Sequence, residues 1–261
     1  MLERIWVEQE RENHFLTSFL LSLVFSLAAI LISHYFVPFQ ISGRNYGGLI
    51  AVLLTSLTAS YPLLRYLEKR EEEEEKMEDL EEKKLLQRHW TELEIYLAFF
   101  LGVMLAFTIT AFVLPSEFFH TQSAVISSIT GRMVNTGLLM TILENNISVF
   151  FLTFFLSFLL TAGMVFILVW NASVLGVFLA DVSQSFSRLP LMALSYLPHG
   201  ILEIGAYALA GISGFFLSHH FECFFEPDVD SRKIFKLCRD SMLILIVGLL
   251  MLLIAGFVEV L

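Results

Sequence analysis

His199 and Glu203 stand four residues apart in LPHGILEIG (197–205), inside a run from Leu189 to Ser218 that is otherwise almost wholly apolar. Four residues is close to one helical turn, so on a helix both side chains share a face. An imidazole and a carboxylate so placed suit three kinds of chemistry. They can bind a cation or relay a proton, give a metal two of its ligands, or fasten one helix to another. A charge at bilayer depth costs about 2.5–3.5 kcal/mol on insertion scales and marks function unless packing absorbs it. Catalysis is the weakest of these readings. Zinc hydrolysis needs three protein ligands. The further candidates His219, His220, Glu222, Asp228 and Asp230 lie in HHFECFFEPDVD, about 20 residues or 30 Å along a helix. That cluster reads as an exposed polar loop before it reads as a metal site. No HExxH, GxSxG or Walker pattern occurs. The expectation is a non-enzyme with no metal and no cofactor.

The elements that would position the pair follow from spacing. Pro198 has no N–H to donate and suits the first turn of a helix. A helix starting there carries His199 and Glu203 on one face, followed by Ala206, Ala210 and Ser213, with Gly214 and Gly200 alongside. Small residues in such a seam let membrane helices approach closely. Thr153, Ser157 and Thr161 fall four apart on a second, hydroxyl-bearing face, bracketed by Asn145, Asn146 and Asn171. The two seams are expected to pack together and leave a polar interior near Glu203. A glutamate in a first turn is also steadied by the helix dipole, by about 0.3–1 kcal/mol. Packing and an ion or proton path both stay open.

The bulk of the chain is built for lipid. Its 261 residues are 56% hydrophobic, and 16% charged against about 25% in a soluble domain. Six blocks reach or approach the roughly 20 apolar residues that cross a bilayer: Phe15–Val37, Tyr46–Leu67, Ile95–Leu114, Ile147–Trp170, Leu189–Ser218 and Met242–Val258. None alternates with the period of two of a barrel strand. The fold class is therefore all-α, a polytopic transmembrane helical bundle of about six membrane helices. Pro198 and Gly200 mark 189–218 as a candidate broken or re-entrant helix. Residues 1–67 read as an N-terminal membrane hairpin, 68–92 as a charged helical connector, and 93–261 as the C-terminal membrane domain. A short surface helix is expected between Pro115 and Asn146. The acidic N-terminus is unlike a secretory signal, and Cys223 and Cys238 read as free thiols. A net charge of −10 speaks against nucleic acid as a partner.

Lys and Arg placement orients the bundle. Residues Arg65 to Arg88 hold seven of them, so 68–92 and, two spans earlier, the N-terminus should be cytoplasmic, in a cell membrane. With six crossings, however, Arg232, Lys233, Lys236 and Arg239 fall outside, against the rule. A re-entrant 189–218 would return them to the cytoplasm.

Four features in order resemble the stage II sporulation protein M family of integral membrane proteins. They are ENN (Glu144 to Asn146) opening an apolar span, Gly163 within it, NASVLG (Asn171 to Gly176), and LPHGILEIGAYALAGISG (Leu197 to Gly214). The turn departs from the usual Asn-Gly in having Asn171-Ala172, and the hairpin before Glu68 looks additional. The named member of the family belongs to a membrane complex that recruits cell-wall-degrading partners, acting as a scaffold, and relatives occur in archaea. The resemblance implies a partner-dependent polytopic membrane protein with Pro198, His199, Gly200 and Glu203 as the family-type site. Its partners would be the bilayer and other membrane or soluble proteins, a second copy of the chain included.

Overall fold

A computed structural model of the chain describes residues 14–37, 40–75, 89–136, 138–160, 162–223 and 231–260. Eight α-helices make up nearly all of it: α1 (His14–Phe36), α2 (Gly47–Glu75), α3 (Trp90–Ala111), α4 (His120–Thr136), α5 (Leu138–Leu159), α6 (Gly163–Ser183), α7 (Leu189–Cys223) and α8 (Ser231–Val260). A two-residue hairpin, β1 (Gln40–Ile41) with β2 (Arg44–Asn45), joins α1 to α2. A short 3-10 turn (Ser116–Phe119) precedes α4. Seven of the helices, all but α4, are long and apolar enough to cross a membrane. The protein is an all-α polytopic helical bundle.

α1 shows why the bundle belongs in lipid. Ser18, Ser22, Ser26, Ala29 and Ser33 recur at three- and four-residue spacing and are all buried, while Leu16, Leu20, Val24 and Leu31 point outwards. Small hydroxylated side chains inside and large apolar ones outside reverse the pattern of a soluble helix. Ser33 Oγ donates to Gly47 O at 2.7 Å, tying the top of α1 to the start of α2. One apolar core runs from Ile30 and Ala51 through Phe99 and Leu168 to Leu252, so the first hairpin packs into the same core as the rest.

Two features depart from the sequence reading. The apolar block Ile147–Trp170 is not one span. It is split between Leu159, where α5 ends, and Gly163, where α6 begins; the Leu160 N–H bonds Leu156 O at 2.8 Å and the Gly163 N–H bonds Leu160 O at 2.6 Å. A Cβ at Gly163 would run into the Leu156 backbone, so a residue without a side chain is needed there. Secondly, 189–218 is neither broken nor re-entrant but part of the continuous α7. Its start is set by Pro190, which takes the first turn, after Gln184 has ended α6 in the left-handed region (φ 56°). Pro198 lies inside α7 instead of opening it.

The register between helices agrees with the extra crossing. Asn146 lies opposite Glu203, and Ser157 opposite Gly211, so α5 and α7 run parallel. Two parallel neighbours in sequence need a helix running back between them, and α6 is that helix. α8 returns antiparallel to α7, with Gly205 facing Met251 and Ser213 bonded to Ser241 O. Among the described residues seven helices can thus cross a membrane, where the blocks suggested about six.

Candidate functional site

α7 carries His199, Gly200 and Glu203 along one face, one turn apart, into a cavity of about 230 Å³. α5 contributes Asn145 and Asn146, and α6 contributes Asn171. Three stretches far apart in sequence therefore meet at one chamber. Within it the Asn146 amide Nδ2–H donates to Glu203 Oε1, a direct link between α5 and α7. Asn145 Nδ2 donates to Asn146 Oδ1 at 3.2 Å, extending the chain of amides away from the carboxylate. Asn171 turns its Nδ2 back to Ile167 O, 2.8 Å away on its own helix. The imidazole of His199 meets the Tyr196 ring edge to face at 5.6 Å, and Tyr196 in turn meets Phe178 at 5.2 Å. At Gly200 an added Cβ would touch nothing within 4 Å, so the α7 backbone itself forms part of the chamber wall.

The sequence-derived seam divides into two roles. Thr153 and Ser157 are buried but line neither this cavity nor its neighbour. Thr153 Oγ1 bonds Val149 O within α5, whereas Ser157 Oγ crosses to Gly211 O at 2.7 Å. Close to that contact, a Cβ at Gly214 would strike Phe154 O and the Ser157 side chain. These residues pack α5 against α7, as the matching of small-residue faces suggested. Thr161 lies outside the described residues. Pro198 lies in the interior of α7 and is not a helix start.

Several wall residues carried no signal as site residues. Tyr196, Tyr207 and Phe178 sit among many aromatics in the sequence. Ile126 and Ile129 reach the chamber because α4 packs onto the bundle, with Gln122 fully buried and its Nε2 donating to Ser173 Oγ at 3.3 Å. A helix merely lying along a surface would not bury that amide. The second histidine cluster also differs from expectation. His219 and His220 belong to α7, and His220 is buried against Phe216. Among the described residues no three His, Cys, Asp or Glu side chains converge as a metal site.

A family model now bears on this geometry. The model for stage II sporulation protein M matches residues 15–261, nearly the whole chain. The chain belongs to the stage II sporulation protein M family. The match takes in α1 and α2 as well as the helices that form the chamber. An uncharacterized protein of Methanocaldococcus jannaschii is 26% identical over 119 residues, covering 46% of this chain and 67% of that protein. No solved structure matches the chain. In this stage II sporulation protein M relative, the two asparagines of ENN, the asparagine of NASVLG, and His199, Gly200 and Glu203 converge on the cavity.

Proposed function

We propose that this multi-pass membrane protein is a non-enzymatic component of a membrane complex, in which Glu203 fastens α7 to α5 and so holds the surface that partners meet. The observation that supports it is the contact between the Asn146 amide and the Glu203 carboxylate. An amide is a poor nucleophile and a poor proton relay, but it is well suited to satisfying a carboxylate in a helix interface. The seven candidate spans support an orientation. Seven crossings leave Arg44, Arg132 and Arg188 on one side and every other Lys and Arg on the opposite one. The conflict at Arg232–Arg239 disappears, and the proposed arrangement puts the N-terminus, residues 68–92 and 224–234 in the cytoplasm of a cell membrane. The test is to crosslink the tagged full chain in its native membrane and identify partners, comparing wild type with Glu203→Ala. Stable partners captured by wild type and lost by the variant are the expected result. A wild-type chain that crosslinks to nothing contradicts the assembly role.

The cavity itself favours a second reading, a channel or transporter component with an ion or proton site at His199 and Glu203. Such a path needs water to reach Glu203 from both sides as the protein cycles. A Gly200→Cys variant labelled by membrane-impermeant thiol reagents from either face would favour this reading, and labelling from one face or none would disfavour it.

A further inference from the structure

The direction of a chain of amides is set by its end. An ionised carboxylate oxygen can only accept, so Asn146 turns its Nδ2–H to Glu203 Oε1 and its own Oδ1 away. That Oδ1 takes the Asn145 Nδ2–H at 3.2 Å, which leaves Asn145 Oδ1 as an acceptor at the far end. Asn171 reaches the same state by another route. Its Nδ2 is engaged by Ile167 O on its own helix, and its Oδ1 is left over. Among the described residues these two carbonyl oxygens, the second N–H of each of the two amides and the ring nitrogens of His199 make no hydrogen bond.

Asn145 and Asn171 line the chamber and also a second cavity of about 140 Å³, whose walls they share with Ile129 and Val174. The second cavity is bounded further by Val149 and Leu152 of α5 and by Ile167 and Trp170 of α6. Leu152 is 48% exposed, so this cavity lies against the outer face of the bundle. The two volumes together fall in the lower part of the roughly 300–1,000 Å³ usual for small-molecule pockets. Phe100, Phe178 and Tyr207 add flat apolar rings to the chamber wall.

The hydrogen bonds on offer are mixed. Asn145, Asn171 and His199 each present a donor and an acceptor. An ammonium group brings donors alone and leaves the amide N–H groups unanswered. A phosphate or carboxylate brings acceptors alone and sets lone pairs against the two Oδ1 atoms. A hydroxyl group gives and takes at once. We propose that the two cavities form one site for a neutral polyhydroxylated molecule, a sugar ring being the simplest that also offers C–H faces to the aromatic wall. Glu203 enters only as the group that orients the amides, whatever else its carboxylate meets. The site does not depend on the assembly role, since a complex component with an empty chamber would fail the test below and still crosslink to its partners.

The experiment follows the fluorescence of Trp170, which lines the second cavity, in full chain whose other two tryptophans are replaced (Trp6→Phe, Trp90→Phe). The chain sits in phosphatidylcholine nanodiscs, so that no sugar-headed detergent competes. The probes are glucose, glucosyl diacylglycerol placed in the nanodisc, and the charged analogues glucosamine and glucuronate. Saturable binding of glucose or of the glucosyl lipid is expected, with glucose favoured over both charged analogues where the free sugars bind. Binding of the lipid alone marks a membrane source for the sugar, and binding of glucose a soluble one; either supports the site. Asn171→Ala should fold and bind about tenfold more weakly, a change worth about 1.4 kcal/mol. Gly200→Leu should abolish binding, because its first carbon meets no atom and its remainder fills the chamber. The proposal is overturned if neither glucose nor the glucosyl lipid binds, or if a charged analogue binds more tightly than glucose. It is also overturned if both variants bind as the parent does. Should Gly200→Leu not fold, Asn171→Ala decides alone.

Discussion

The bundle holds two polar regions, and they are built differently. At one end, where α3 begins and α7 finishes, His89, Glu92, His220 and Asp240 are all buried, Glu92 completely. Aromatic rings close this cluster. The Phe216 ring lies 5.2 Å from His89 and 6.2 Å from His220, and Arg239 pairs with Asp240 at 3.0 Å. Around Glu203 the polar groups instead border open volume, and a glycine backbone forms part of the wall. Buried polarity alone therefore does not mark a binding site. Polar groups whose neighbours fill the space around them hold helices together, while polar groups facing a void offer hydrogen bonds to something else.

This contrast can be broken by substitution. The largest effect is expected at the closed end. His220→Ala removes a buried ring and should cost about 3 kcal/mol, a fall of roughly 6–12 °C in the detergent melting midpoint. A change below about 2 °C would show that this cluster tolerates loss as a hollow site does. Glu203→Ala comes next, at about 1–2 kcal/mol, because it deletes the interhelical hydrogen bond to Asn146 and leaves that amide facing a space already open to other partners. Equal losses at His220 and Glu203 would erase the distinction.

Gly200→Ala should act in the other direction and raise stability by up to about 1 kcal/mol. It replaces glycine inside a helix where the new methyl meets no atom. A lowered melting midpoint would mean that the chamber is smaller than the wall geometry indicates. The smallest effect is expected for Asn171→Ala, about 0.5 kcal/mol or less, since among the described residues its amide bonds its own helix, at Ile167 O. A larger loss, read in the same melting assay, would make Asn171 part of a structural network and shrink the hollow region to Glu203 and Asn146.

The hollow site was legible in the sequence because His199, Glu203 and the asparagines contradict their apolar surroundings. The closed cluster was not. His89 and Glu92 border a connector crowded with charge, and His219 and His220 precede a polar stretch, so composition assigned them to water. Only the convergence of α3, α7 and α8 buries them, and that is a tertiary fact. The break between α5 and α6 was hidden for a different reason. Leu159, Leu160 and Ala162 keep the hydropathy high straight through it, and the only sign is Gly163, a residue equally at home inside a membrane helix. Pro198 misled in the opposite sense. A proline in mid-sequence suggests a boundary, but Pro190, eight residues earlier, had already supplied the helix start.

The central proposal is that Glu203 fastens α7 to α5 and serves no conducting path. Its most direct test is proton and cation flux into proteoliposomes containing the purified chain, with Glu203→Gln as the paired control and insertion verified for both. The account predicts no flux above that of empty vesicles from either protein. Wild-type flux that Glu203→Gln removes would contradict it and make the chamber a conduit.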